Sequence, residues 1–426
     1  MSAAARALPT QRPGEPPGPS RQGPSRQGPS RQGPSRPGPL RGLPLLEDLP
    51  PVDGKRVLVR VDFNVPLEEG GDGEPEVDDD FRIRRALPAL RWLLEGGARV
   101  TACSHLGRPP GAPDPRWTMA PVRQRLNELC PGVTLMENLR FSPGEEANDP
   151  SFVTALVDGQ DAYVNEAFGV THRAHASVVG PPGRLPSAAG RCLAREVAIL
   201  GGLLEEPARP FVAVVGGAKV ADKLGVLRAL AAKVDVLAIG GAMAFTFLLA
   251  GGHRVGASLV DERRLEDCRK LLASGVRVLL PADVVALEPG GAAGAAPCGR
   301  TEVMGTDLPD GWRGLDIGPA TAEKFAQAIA GAGTVLWNGP LGVAEDERFA
   351  GGTRRVAEAV ARCPGFTVVG GGDSANALDH LGLADRVDFL STGGGASLQY
   401  VEDGDLPGLA ALRAASNSPA ASIPSP

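Results

Sequence analysis

Aromatic residues make up only 4% of this 426-residue chain, so its core has to be built from aliphatic side chains. No apolar run approaches the ~20 residues that a membrane-spanning helix needs, and no membrane role is expected. The cysteines at Cys103, Cys130, Cys192, Cys268, Cys298 and Cys363 form no C-x-x-C pair. Neither a zinc site nor a disulfide framework is therefore indicated, and a reducing cytoplasm is the expected setting. The sequence G-x-x-x-x-G-K-[ST] is missing, which excludes a Walker-type phosphate loop. A broad basic surface is missing too. Net charge is -6, and because residues 1–42 hold seven arginines and one acid, the rest of the chain stands at -12. A body that acidic does not bind nucleic acid over a wide face.

What is present is glycine, proline and length. At 426 residues the chain exceeds one ordinary core, so two domains are expected. From Gly18 the unit Gly-Pro-Ser-Arg-Gln repeats. With almost no apolar residues it cannot offset the entropy cost of folding, so residues 1–42 are read as a disordered tail. A transit peptide, a proline-rich ligand, an anion-binding arm and a tolerated extension are all compatible with that composition.

From Gly54 onward, short β-branched runs alternate with Ala/Leu/Arg-rich stretches. Strands are expected at 57–61, 98–103, 133–136 and 161–165, then at 211–215, 234–239, 276–281, 334–338, 366–370 and 387–391. Continuous apolar strands between helices imply parallel sheets covered on both faces. The pattern thus predicts an α/β chain of two doubly wound, Rossmann-like domains, 43–206 and 207–397. The helix at 190–206 ends the first, just before Pro207-Ala208-Arg209-Pro210. In such folds ligands sit at the carboxyl ends of the strands.

Those ends differ in chemistry between the two sets. Four strands of the second set run into glycine: VVGGAKVADK (214–223), AIGGAMAF (238–245), VVGGGDSAN (368–376) and LSTGGGAS (390–397). Glycine allows close backbone approach, and a following helix offers free N–H groups to an anion, so a nucleotide-phosphate site is expected. Lys219 and Lys223, four apart, are expected on one face of a helix start. Asp373 is a candidate Mg²⁺ ligand, or else an N-cap. In the first set the ends read RVDFNVP (60–66), SHLGRP (104–109), ENLRF (137–141) and FGVTHRAHAS (168–177), with FRIRR (81–85) opening a helix. Asp62, Asn64, Arg82, His105, Arg108, Arg140 and Arg173 converge if the sheet is parallel, and arginine forks match phosphate and carboxylate oxygens. A small, multiply anionic substrate is implied. His172 and His175 are weaker candidates than His105, and His172 is given no chemical role.

RVDFNVPL, SHLGRP, ENLRF, THRAHAS, GGAKVADK, MAFTFL, DIGP, WNGPLGV, GGGDSA and STGGGAS, in this order from about Leu40 to Leu412, together resemble the phosphoglycerate kinase family. The resemblance implies Mg²⁺-dependent phosphoryl transfer between 1,3-bisphosphoglycerate and ADP, giving 3-phosphoglycerate and ATP, in glycolysis, gluconeogenesis or carbon fixation. It assigns the glycerate substrate to Asp62, Asn64, Arg82, His105, Arg108, Arg140 and Arg173. The nucleotide falls to Lys219, Lys223, Gly314, Asn338, Glu345, Gly371, Gly372, Asp373 and Ser374. Within those groups, Arg82 and Lys219 carry the catalytic charge, Glu345 holds the ribose and Asp373 the Mg²⁺. It further implies a monomer, a hinge at helix 190–206, movement of the loops near 371–376 and 392–396, and, within 398–426, a segment near 398–412 that returns to the first domain. The last stretch, AASNSPAASIPSP (414–426), reads as a frayed end. Ala344 stands where the family often has an aromatic, Ala242 where glycine is common, Gln399 where glutamate is usual, and FGVTHRAH replaces FGTAHRAH. The competing readings are a dinucleotide-dependent oxidoreductase, against which the missing G-x-G-x-x-G in these loops argues, and a catalytically dead homologue serving as a binding protein.

Overall fold

The computed structural model describes residues 38–71, 73–294 and 297–417. The expected disordered tail therefore lies outside the described residues up to position 37, and the expected frayed end lies outside them from 418, while 414–417 continue the last helix, Pro407–Asn417. Residues 38–42, also assigned to the tail, are part of the fold: Gly38–Leu40 forms a 3-10 turn, and Pro39 is buried against Gly201. Proline and leucine give this short stretch the apolar surface that the repeat before it lacks.

The first parallel sheet contains β1 (Arg56–Arg60), β2 (Arg99–Cys103), β3 (Thr134–Leu135), β4 (Ala162–Asn165) and β5 (Ser187–Ala189), in the order β3-β2-β1-β4-β5. The second contains β6 (Phe211–Val215), β7 (Val236–Ile239), β8 (Arg277–Leu279), β9 (Thr334–Asn338), β10 (Phe366–Gly370) and β11 (Phe389–Leu390), in the order β8-β7-β6-β9-β10-β11. In each sheet the chain fills one side and then crosses to the other. The strand order reverses between β1 and β4 in the first sheet, and between β6 and β9 in the second. Loops after those four strands flank the two crevices where doubly wound sheets take ligands.

Every residue of β4, β6, β7 and β9 is buried, as expected for strands covered on both faces. Helix α1 (Phe81–Glu95) packs Ile83, Leu87, Leu90 and Leu93 against one face of the first sheet. The other face shares one apolar cluster with the second sheet: Leu58, Tyr163 and Phe168 on one side, Phe211, Ala213 and Leu227 on the other. Helix α2 (Arg191–Glu205) supplies the connection through Leu193, Val197, Leu200 and Leu203. After α3 (Leu224–Ala231), α4 (Gly372–His380) and α5 (Gly394–Asp403) the chain ends in α6 (Pro407–Asn417). Helix α6 packs against β5 and Ala176–Val179, with Gly408 N donating to Thr171 O at 3.0 Å.

Strand β5 at the edge of the first sheet was not expected, and two further elements also fall outside the expectation. A three-stranded antiparallel sheet (Asp283–Leu287, Thr301–Gly305, Arg313–Ile317) and a hairpin (Leu67–Glu69, Pro75–Val77) are added to the parallel sheets. The hairpin and the outer strand Thr301–Gly305 carry no buried residue, so they leave no apolar run in the sequence.

Candidate functional site

At the first crevice the chain leaves β1 through Val61, Asp62, Phe63 and Asn64. Phe63 N donates to Ser104 Oγ at 2.9 Å, and Gly107 N donates to Asn64 Oδ1 at 2.7 Å, which ties the loops after β1 and β2 together. Arg82, in the first turn of α1, donates through Nη1 to Asp62 Oδ2 at 2.9 Å. Arg108, Arg140 and Arg173, with Pro109 and Glu146, line a cavity of about 330 Å³. Arg140 is only 4% exposed. Its Nη1 donates to Gly107 O at 2.7 Å, while Nε lies 2.9 Å from Glu146 Oε1 at an angle that makes no hydrogen bond. Burial pushes Arg140 below its ordinary pKa. His105 is buried beside these groups. Burial first, then the charges of Arg60, Arg140, Arg173 and Arg82, keep its imidazole neutral, well below the usual range. With three guanidiniums and one carboxylate in its wall, this pocket at the end of a parallel sheet carries excess positive charge, which a multiply anionic ligand would balance.

Sequence reasoning passed over Arg60, although it opens the RVDFNVP string. The side chain is 1% exposed. Its Nε donates to Ser177 Oγ at 2.8 Å, and Nη2 stands 3.3 Å from His105 Nδ1. Ser177 in turn donates through Oγ to the buried Glu145 Oε1 at 2.6 Å. Arg60 thus floors the cluster. The missing signal is that an arginine ending a buried strand has to be paired below the sheet surface.

At the second crevice Lys223 Nζ donates to Gly216 O at 2.7 Å and to Asn338 Oδ1 at 2.9 Å, joining the loops after β6 and β9. Lys219 and Lys223 do not share a helix face. Residues 218–223 form bends and turns, and α3 begins only at Leu224, so Lys219 stands exposed and without a protein partner among the described residues while Lys223 folds inward. Burial lowers Lys223 to about 8, against the opposing pull of Asp373 and Asp222. Gly371, at φ +97°, caps α4 and faces Asn338. Asp373 lies in the first turn of α4, exposed, and is not the N-cap. Gly372 is open to solvent, and Ser374 Oγ is spent as the acceptor of Gly339 N at 2.7 Å. Gly314 is buried against the Phe245 ring, with its N–H donating to Ser258 Oγ at 2.9 Å. Val343 N donates to Leu315 O, which sets the loop of the exposed Glu345 beside the Gly314 strand.

The two sets meet through the turn after β11. A Cβ on Gly393 would strike Phe168 and Gly169 in the loop after β4, so glycine permits the contact. Glu196 of α2 braces that turn. Its fully buried carboxylate accepts from Ser391 Oγ at 2.8 Å, Thr392 N at 2.7 Å and Thr392 Oγ1 at 2.8 Å. Burial raises its pKa in spite of those donors. Nothing in the sequence marks Glu196, because a glutamate in an amphipathic helix ordinarily faces water. A second cavity of about 890 Å³, bordered by Glu76, Asp78, Asp79, Asp80 and Asp379, contains none of the residues expected in the site.

Comparison with known proteins bears on this arrangement. The family model described as Phosphoglycerate kinase matches residues 46–404. A phosphoglycerate kinase of Rubrobacter xylanophilus is 51% identical, over 84% of this chain and 95% of that protein. One from Frankia casuarinae is 49% identical, over 85% and 98%. Among solved structures, phosphoglycerate kinase from Coxiella burnetii superposes with a TM-score of 0.75 at 36% identity, covering 86% of this chain and 98% of that one. The enzyme from Pyrococcus horikoshii gives 0.74 at 28% identity, over 88% and 99%.

Proposed function

Because the chain belongs to the phosphoglycerate kinase family, we propose that its two strand-end sets are the two half-sites of that family's reaction. The chain is a phosphotransferase that moves a phosphoryl group between 1,3-bisphosphoglycerate and ADP, giving 3-phosphoglycerate and ATP. The observation that carries the assignment of sites is the pairing of two switch-point crevices, one walled by Arg108, Arg140 and Arg173, the other joined by Lys223 and Asn338.

In this reading Asp62, Asn64, Arg82, His105, Arg108, Arg140 and Arg173 bind the glycerate. Neutral His105 and Asn64 position it, and the arginines hold carboxylate and phosphate oxygens. Lys219, Lys223, Gly314, Asn338, Glu345 and Gly371 to Ser374 bind the nucleotide. The free N–H groups at the start of α4 meet phosphate, and Glu345 takes the ribose hydroxyls. Asp373 fits Mg²⁺: its carboxylate is a hard oxygen donor, exposed and without an ion pair among the described residues, and this ion completes its shell with phosphate and water. Bound there, Mg²⁺ neutralises charge on the transferring phosphate chain. Arg82 from one set and the uncommitted Lys219 from the other then flank the phosphoryl group, and transfer needs alignment and charge cancellation more than covalent help.

Two sets on different sheets require closure, with α2 as the hinge and domains spanning 43–206 and 207–397. The brace from Glu196 to Ser391 and Thr392 supports that reading, since it couples the hinge helix to the glycine turn at the nucleotide side. The proposed monomer is placed in the cytoplasm, a compartment that the six unpaired cysteines support; among the described residues no helix is long and apolar enough to cross a membrane. The test is ATP formation from 1,3-bisphosphoglycerate and MgADP in wild type, Arg82→Ala and Lys219→Ala. Each variant is expected to keep its fold and lose about 10²–10³ in kcat. Wild-type turnover in either folded variant removes that residue from the charge clamp.

A further inference from the structure

Where α1, α2 and β11 meet, beside the strand ends of both sheets, the structure holds a cluster of buried polar groups that the assignments above leave unused. Arg85 lies one turn beyond Arg82 on α1. Its guanidinium sits 5.5 Å from the ring centroid of Phe389 in β11, and Arg195 of α2 stands over the same ring at 5.5 Å. Nε and Nη2 of Arg85 are buried and have no hydrogen-bond partner among the described residues. Next to this group, Glu166 follows β4 and is 3% exposed. Its Oε1 accepts from Cys192 N at 2.9 Å, while Oε2 is buried without a donor. Burial drives the Glu166 pKa well up, and the charges of Arg85 and Arg191 act against that rise. Glu196 borders the cluster too, its oxygens already committed to Ser391 and Thr392.

A buried guanidinium with unspent donors and a buried carboxylate with an unspent acceptor are each what the other lacks. Both are costly while apart, and pairing removes both costs at once. Of the two rings beside Arg85, Phe81 at 5.8 Å lies on α1 itself and Phe389 belongs to the second sheet, whereas the carboxylate that lacks a donor belongs to the first. Relative movement of the sheets is therefore what changes the balance between the two contacts.

We propose that Arg85 is a positioning residue for phosphoryl transfer: on closure its guanidinium engages Glu166 and fixes α1, and with it Arg82, against the hinge helix and the 391–394 turn. This rests on the hinge reading, and the experiment separates the two.

Wild type, Arg85→Met, Arg85→Lys, Glu166→Gln and the Arg85→Met/Glu166→Gln double variant are compared by melting, by small-angle scattering with 3-phosphoglycerate plus MgADP, and by steady-state kinetics. Wild type contracts when both ligands are added. Arg85→Met keeps its stem over Phe389, melts close to wild type, contracts less, and loses about tenfold in kcat with both KM values within about twofold. Arg85→Lys, which restores charge and a donor, recovers most of that loss. Glu166→Gln loses as much as Arg85→Met, and the double variant loses no more than either. A wild type that does not contract overturns the hinge reading, and this proposal with it. A contracting wild type matched by Arg85→Met in contraction and kcat overturns the role of Arg85 alone, as do additive losses in the double variant. Should Arg85→Met fail to fold, wild-type kcat in Glu166→Gln overturns the proposal.

Discussion

Lys223 carries a proton balance that an anion bound beside it would shift. It donates to Gly216 O and Asn338 Oδ1, yet burial brings it from 10.5 to about 8. Between those two values the unfolded chain binds a proton that the folded enzyme does not, so this group makes stability rise with pH across that window. Phosphate beside it favours the ammonium and moves its pKa back up. At pH 8, where the free enzyme is about half protonated at this position, nucleotide binding should therefore take up as much as ~0.5 proton. Calorimetry of MgADP binding in buffers of different ionisation enthalpy reads that uptake directly. Lys223→Met should abolish it; equal uptake in the variant would assign the proton to another group. Lysine spacing in the sequence suggested a shared phosphate contact for Lys219 and Lys223. The backbone instead separates a loop-joining lysine from a free one, a distinction that a four-residue interval cannot carry.

Among elements, those buried on both faces were the legible ones. All ten strands expected from apolar runs are present, within two residues at their ends, because β6 and β9 have no exposed face to carry polar alternation. The antiparallel strands at Asp283–Leu287, Thr301–Gly305 and Arg313–Ile317 and the hairpin near Leu67 were not legible: three of these five strands bury no residue, and the other two are buried over only part of their length. Glycine runs pointed correctly to strand-to-helix turns, but not to the distinct task of each. Gly371 is the case where the backbone requires glycine: at φ +97° an L-residue is strained, and its Cβ would lie 3.3 Å from Asn338 Nδ2. Gly371→Ala should cost about 1–3 kcal/mol locally and displace the partner of Lys223. The expected result is a several-fold higher KM for MgADP with the KM for 1,3-bisphosphoglycerate unchanged. A rise in both would place the damage in closure rather than in the nucleotide pocket.

At the scale of the whole molecule the strand orders β3-β2-β1-β4-β5 and β8-β7-β6-β9-β10-β11 were not written in any local pattern, though they decide which loops share a crevice. Residue types named the candidates; topology brought Arg108, Arg140 and Arg173 around one cavity and Lys223 to Asn338. The apolar cluster that runs from Leu58 and Tyr163 through α2 to Phe211 and Leu227 makes a further commitment. Two sheets that shared no core could lose structure separately. Here Leu200 of α2 is fully buried within the cluster that both sheets share. Leu200→Ala should destabilise by about 2–5 kcal/mol, and the loss should reach both sheets because the cavity borders both. Ile83, by contrast, belongs to the cluster confined to the α1 face of the first sheet. Amide hydrogen exchange distinguishes the cases: Leu200→Ala is expected to lower protection in β1, β4, β6 and β9 alike, and Ile83→Ala to lower it mainly in the first sheet. Loss confined to one sheet in Leu200→Ala would mean that α2 belongs energetically to a single domain, and the pivot of closure would then lie at the end of that helix instead of along it.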